Sequence, residues 1–143
     1  LGDNPLKGDL ALAVDYKLDQ VFDMDDATKV KVGPQSEIVE IDKTLAEFDA
    51  VDTGVFRCSL GLFDALEAVY ATEGDASLSQ GVKNLADQNR AHTVDVGDAW
   101  WQDVDDVLTR DEAERRLFAS LTKESDGFIS KQINRRVSKW ISK

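Results

Sequence analysis

The sequence has a single cysteine, Cys58, inside the apolar stretch Val55-Phe56-Arg57-Cys58. One cysteine forms no intrachain disulfide and supplies no Cys-based metal site, so a reducing compartment is the expectation. The one histidine, His92, has no serine or cysteine arranged as its partner, which leaves triad hydrolysis without support and gives His92 a structural reading. No apolar run approaches the roughly 18 to 20 residues that span a bilayer. The start, Leu1-Gly2-Asp3-Asn4-Pro5, carries neither a basic n-region nor an apolar h-region. Neither G-x-G-x-x-G nor G-x-x-x-x-G-K-[ST] occurs, so the common phosphate-cradling glycine loops are missing. No internal period of about 20 to 50 residues is present, which excludes a repeat architecture. The first residue is not methionine, and a fragment of a larger chain is the expectation.

Positive charge is also scarce, and unevenly so. Seventeen Lys and Arg stand against 28 Asp and Glu in 143 residues, a net charge of −11, which argues against nucleic-acid binding. Residues 1–122 carry −15 and residues 123–143 carry +4. The basic end is a separate electrostatic object that suits an anionic partner. In it Ile129, Ile133, Val137, Trp140 and Ile141 share one helical stripe, while Lys131, Arg135, Arg136 and Lys139 lie mostly on the other faces. That pattern predicts an amphipathic helix over 127–143 on an anionic membrane surface, with Trp140 at headgroup depth. Docking of the same stripe on the chain's own sheet is the alternative. Residues 1–122 are expected to form one domain, and 123–143 a connector and juxtamembrane helix.

Hydrophobic periodicity supplies the rest of the outline. Residues 8–16 read as a strand with Leu10, Leu12 and Val14 on one face, and 27–32 with 37–41 as a hairpin about Gly33-Pro34. Residues 50–57 read as a further strand, in which Gly54 suggests a bulge or a close backbone approach. A helix over about 60–72 is predicted, capped by Ser59, with Leu60, Phe63, Leu66, Glu67 and Tyr70 at helical spacing and Gly74 ending it. Ser77 or Ser79 caps a second helix with Leu78, Val82 and Leu85 on one side, 92–96 returns as a strand, and an acidic start leads a last helix to about 121. The order predicts an α/β fold, a mixed open sheet flanked by helices.

Two acidic stretches bear on metal binding. Asp23-Met24-Asp25-Asp26-Ala27-Thr28 fails the calcium-loop spacing at its sixth and twelfth positions and reads as a solvated turn. In Trp101-Gln102-Asp103-Val104-Asp105, alternating carboxylates at a strand exit suit Mg²⁺ held against a phosphate, although Asp residues before a helix also serve as caps.

Four blocks in order carry a family resemblance: Gly8-Asp9-Leu10-Ala11-Leu12-Ala13-Val14-Asp15; Asp25 to Val32 followed by Ile38-Val39-Glu40-Ile41; Ala50-Val51-Asp52-Thr53-Gly54-Val55-Phe56; and Trp100-Trp101-Gln102-Asp103-Val104-Asp105. Together they resemble the C-terminal half of a nucleotidyltransferase domain of the inositol-1-phosphate cytidylyltransferase branch. In that branch the domain is often fused to a membrane-embedded CDP-alcohol phosphotransferase, and residues 121–130 and 133–138 resemble the connector before its first transmembrane helix. The resemblance implies a partial Rossmann-like fold, Mg²⁺ on Asp103 with Asp105 nearby, Lys43 on the alcohol phosphate, and Thr53 and Gly54 lining the alcohol pocket. Departures are visible: Ile41-Asp42-Lys43-Thr44 stands for the family's Glu-Lys-Pro, Asp106 for a usual Thr, and Val107-Leu108 for Pro-Glu. The family's glycine-rich nucleotide loop and its first metal-binding Asp have no counterpart in these residues. Two readings follow: half of a cytidylyltransferase acting on CTP and inositol phosphate, or a non-catalytic extramembrane module of a phosphotransferase in inositol phosphate or phosphatidylinositol-type lipid synthesis. The second suits the chain by itself, at the inner face of the membrane.

Overall fold

The computed structural model describes residues 8–122. The chain divides into two compact units, Leu1–Trp101 and Gln102–Lys143. In the first, the strands are β1 (Leu10–Asp15), β2 (Lys29–Val32), β3 (Ile38–Asp42), β4 (Ala50–Cys58) and β5 (Ala91–Asp95). Two helices, α1 (Gly61–Glu73) and α2 (Leu78–Asp87), lie between β4 and β5. The sheet order is β3-β2-β4-β1-β5. Only β1 and β5 run parallel to each other; the remaining neighbours are antiparallel. This is the mixed open α/β sheet the sequence predicts.

All six residues of β1 are buried, as expected of a strand paired on both edges and covered on both faces. Leu10, Leu12 and Val14 join Val30, Ile38, Ile41 and Ala50 from the neighbouring strands and Leu62, Ala65, Val82 and Leu85 from the helices in one core. Gly81 lets α1 and α2 approach closely, because a Cβ there would stand 2.6 Å from Leu66 Cδ2. A capping box starts α2: Ser77 Oγ accepts the Gln80 N–H and Gln80 Oε1 accepts the Ser77 N–H. Gly74 in the left-handed conformation ends α1.

Two local expectations are corrected. The inward face of α1 is Gly61, Leu62, Ala65 and Val69, whereas Leu60, Phe63 and Tyr70 of the predicted stripe are largely exposed. Gly61 packs against the Asp9 carboxylate and the Arg90 guanidinium, which a Cβ there would push aside. Ser59 is not the N-cap, which is Leu60; its hydroxyl still accepts the Gly61 N–H at 3.0 Å and donates to Asp9. In the β2–β3 turn the left-handed residue is Ser36 (φ 64°).

The bulge expected at Gly54 is present. Pairing of β1 with β4 jumps from Leu12↔Phe56 to Val14↔Asp52, and Gly54 (φ 74°) occupies the extra length. Ala13 falls in the gap, and its carbonyl accepts the Thr53 hydroxyl at 2.8 Å. The two edges of the sheet also meet: Glu37, just ahead of β3, bridges His92 of β5, and Thr93 donates its N–H to Ser36 O at 2.7 Å.

In the second unit a helix, α3, covers 107–122. Among the described residues no helix is long and apolar enough to cross a membrane. Lys131, Arg135, Arg136, Lys139 and Trp140, with the predicted amphipathic segment, lie outside the described residues.

Candidate functional site

Strand register gathers polar residues at one end of the sheet. Asp42 pairs with Lys29, Lys29 with Val51, and Val51 with Asp15, which sets these four residues in one row across four strands. Directly opposed residues share a face. The next row, Ile41–Val30–Ala50, belongs to the helix-covered core, so the Asp42–Lys29–Val51–Asp15 row lies on the other face. The row coincides with the carboxyl end of the parallel pair β1 and β5, the end at which α/β sheets bind ligands.

Two charged members of this row are buried, Asp15 at 4% and Lys29 at 8% exposure. Asp15 is well satisfied: it accepts the Lys17 ammonium at 2.7 Å, the Lys17 N–H at 2.8 Å and the Trp101 indole N–H at 2.9 Å. Lys17 Nζ also donates to Gly97 O, and Gly97 N–H turns back to Asp95 Oδ1 at 2.7 Å. The segment leaving β5 is thus tied to the end of β1 by a half-buried charge pair. None of this was marked by the sequence, because an acid ending an apolar strand reads as a strand terminus.

Lys43 stands one residue beyond the row, exposed, with its ammonium 2.6 Å from Asp26. Thr53 and Gly54 lie two and three residues past Val51, in the bulge. The structure therefore brings Lys43 and the Asp15 cluster to one end of the sheet and leaves Thr53 and Gly54 in the middle of β4, across from Ala13. The hydroxyl and backbone N–H of Thr44, in that order, hold the Asp42 carboxyl below the usual carboxylate range.

In the second unit the cap of α3 is Asp106, whose Oδ1 accepts the Thr109 N–H at 2.7 Å. That bond and the Thr109 hydroxyl keep its carboxyl below the ordinary range. Asp103 lies three residues upstream of the cap and is exposed, as is Asp105. The capping alternative therefore falls to a different aspartate. Asp103 and Asp105 are thus two exposed carboxylates outside the cap. Among the described residues no group of three or more His, Cys, Asp or Glu side chains could hold a metal ion by itself.

A mixed sheet with one parallel pair, an antiparallel hairpin extension and flanking helices is a nucleotidyltransferase Rossmann-like fold. It superposes on the structure of the inositol-1-phosphate CTP transferase from T. maritima with a TM-score of 0.63 and 26% identity, over 76% of this chain and 43% of that one. Two curated proteins named bifunctional IPC transferase and DIPP synthase are similar in sequence. The one from Archaeoglobus fulgidus is 39% identical over 121 residues, 84% of this chain and 24% of its own length. The one from Thermococcus kodakarensis is 34% identical over 122 residues, 84% of this chain and 27% of its own. No family model matches. The chain is similar in sequence and fold to inositol-1-phosphate cytidylyltransferase-like proteins, and it spans about a quarter of the length of the curated relatives it matches.

Proposed function

We propose that this chain is the C-terminal half of a cytidylyltransferase-like domain. It serves as an extramembrane module of a CDP-alcohol phosphotransferase in inositol phosphate or phosphatidylinositol-type lipid synthesis and does not turn over CTP by itself. What supports the cytidylyltransferase-like reading is the match in sequence to proteins named bifunctional IPC transferase and DIPP synthase together with the match in fold to an inositol-1-phosphate CTP transferase; the residues given contain no glycine-rich loop for a triphosphate. Its partners are the membrane-embedded phosphotransferase domain of the same parent and, through Lys131, Arg135, Arg136, Lys139 and Trp140, an anionic lipid surface at the inner face of the membrane. Nucleic acid is not among them.

A second reading has its own support, since Asp106 takes the cap and leaves Asp103 for other work. In a complete parent, an oxygen of inositol 1-phosphate attacks the α-phosphorus of CTP, a P–O bond forms, the α–β anhydride breaks and pyrophosphate leaves. There Lys43 would hold the alcohol phosphate, Thr53 and Gly54 would line the alcohol pocket, and Asp103 and Asp105 would offer carboxylates to Mg²⁺. When bound, Mg²⁺ neutralises charge on the phosphates. Pyrophosphate release from CTP, Mg²⁺ and inositol 1-phosphate separates the two readings. The isolated chain is expected to show none, and turnover that disappears in Asp103→Asn would overturn the non-catalytic reading.

A further inference from the structure

We propose that Lys29 forms a buried anion site that takes the phosphate monoester of the alcohol substrate, with Lys43 at its rim. The inference rests on the cytidylyltransferase-like reading above. A lysine is almost never this deeply buried unless it is paired, because an ammonium loses its hydration on burial. Lys29 is 8% exposed and forms no ion pair with any described residue. Its ammonium can donate three hydrogen bonds, and among the described residues it has one acceptor, Asp25 O at 3.2 Å.

The neighbours in the row form no ion pair with the Lys29 ammonium, although the ionised Asp42 stands directly opposite it. Val51 on one side is apolar, and Asp42 on the other gives Oδ1 to the Thr44 N–H and hydroxyl. The cover is the short turn at 23–26, which provides the carbonyl over Lys29 and, through Asp26, the carboxylate over Lys43. Two ammonium groups therefore face one turn, which is held by Asp26 N–H to Asp23 Oδ1 and Ala27 N–H to Asp23 O. An entering phosphate replaces both contacts with charged oxygens, which give shorter and stronger hydrogen bonds than a carbonyl. Two point cations without a glycine nest suit a single phosphate rather than a triphosphate.

The test is thermal unfolding of the 143-residue chain with inositol 1-phosphate, inorganic phosphate or free inositol, in wild type, Lys29→Met and Lys43→Ala. The site requires that Lys29→Met melt no lower than wild type without ligand, since an apolar isostere replaces a buried charge. It also requires that this variant bind inositol 1-phosphate about tenfold more weakly or worse. Equal stabilisation of Lys29→Met and wild type, with loss in Lys43→Ala, overturns the Lys29 site and leaves the family reading intact. Stabilisation by inorganic phosphate but not by inositol 1-phosphate, lost in Lys29→Met, keeps the anion site and removes the alcohol reading. No stabilisation by any probe, with Lys29→Met melting lower, makes Lys29 structural and overturns the proposal. Should Lys29→Met fail to fold, Lys29→Gln makes the same comparison, because it removes the charge and keeps a donor for Asp25 O.

Discussion

Replacing Thr53 by valine removes one hydroxyl at nearly constant volume and isolates what the β4 bulge requires. The bulge takes Ala13 out of register with β4, and the Thr53 hydroxyl fills the vacancy at the Ala13 carbonyl. Ala13 is 6% exposed, so water does not readily replace that donor. Leaving a buried acceptor unsatisfied costs about 1–3 kcal/mol, and a middle value of about 2 kcal/mol is expected for one carbonyl lone pair. The first unit has about 100 residues, for which each kcal/mol lowers the melting temperature by about 4–8 °C. Thr53→Val should therefore melt about 8–16 °C below wild type, and Thr53→Ser, which keeps the hydroxyl, should recover most of that loss. Thermal unfolding followed by circular dichroism, with a urea series to confirm two-state behaviour, measures both. A Thr53→Val protein that melts with wild type would refute the reasoning and leave the hydroxyl available to a ligand.

Two further outcomes are expected. The Arg115 and then the Arg116 guanidinium lower the Glu112 carboxyl to about 2 in the folded chain, so its contribution is present above the ordinary carboxylate pKa and fades as pH falls from about 4.5 toward 2. Glu112→Gln should flatten that part of the stability–pH curve, and a curve parallel to wild type would dismiss the clamp. The full chain should float with anionic vesicles at low salt and be released as salt rises, whereas a chain ending at Asp126 should stay behind; equal flotation of the two would remove the membrane role of 127–143.

Element order was readable because the strands and α2 carry strong periodic signals: Leu10, Leu12 and Val14, the two runs around Gly33-Pro34, and Ser77 with Gln80. The rotation of α1 was not, because its inward face is built partly from Gly61 and Ala65, which carry little hydrophobic signal, while Leu60, Phe63 and Tyr70 carry much and point outward. Asp106 could not be told from its neighbouring aspartates as the α3 cap without the Thr109 geometry. The buried Lys29 and Asp15 were invisible for a related reason. Alternation along a strand assigns charged residues to solvent, and only the register and the covering turn show that this face is also closed.

The Ser36–Thr93 stitch between the outer strands bears on how the protein behaves in a crowd. A strand edge with open N–H and C=O groups is a template for fibril growth and domain exchange. Here the outer edge of β5 is occupied at His92 and Thr93 by the protein's own hairpin turn, and Thr93 commits both its N–H and its hydroxyl to Ser36 O. A foreign strand must displace those bonds before it can zip onto β5. The left-handed Ser36 of the β2–β3 turn therefore plugs this stretch of the β5 edge against strand addition.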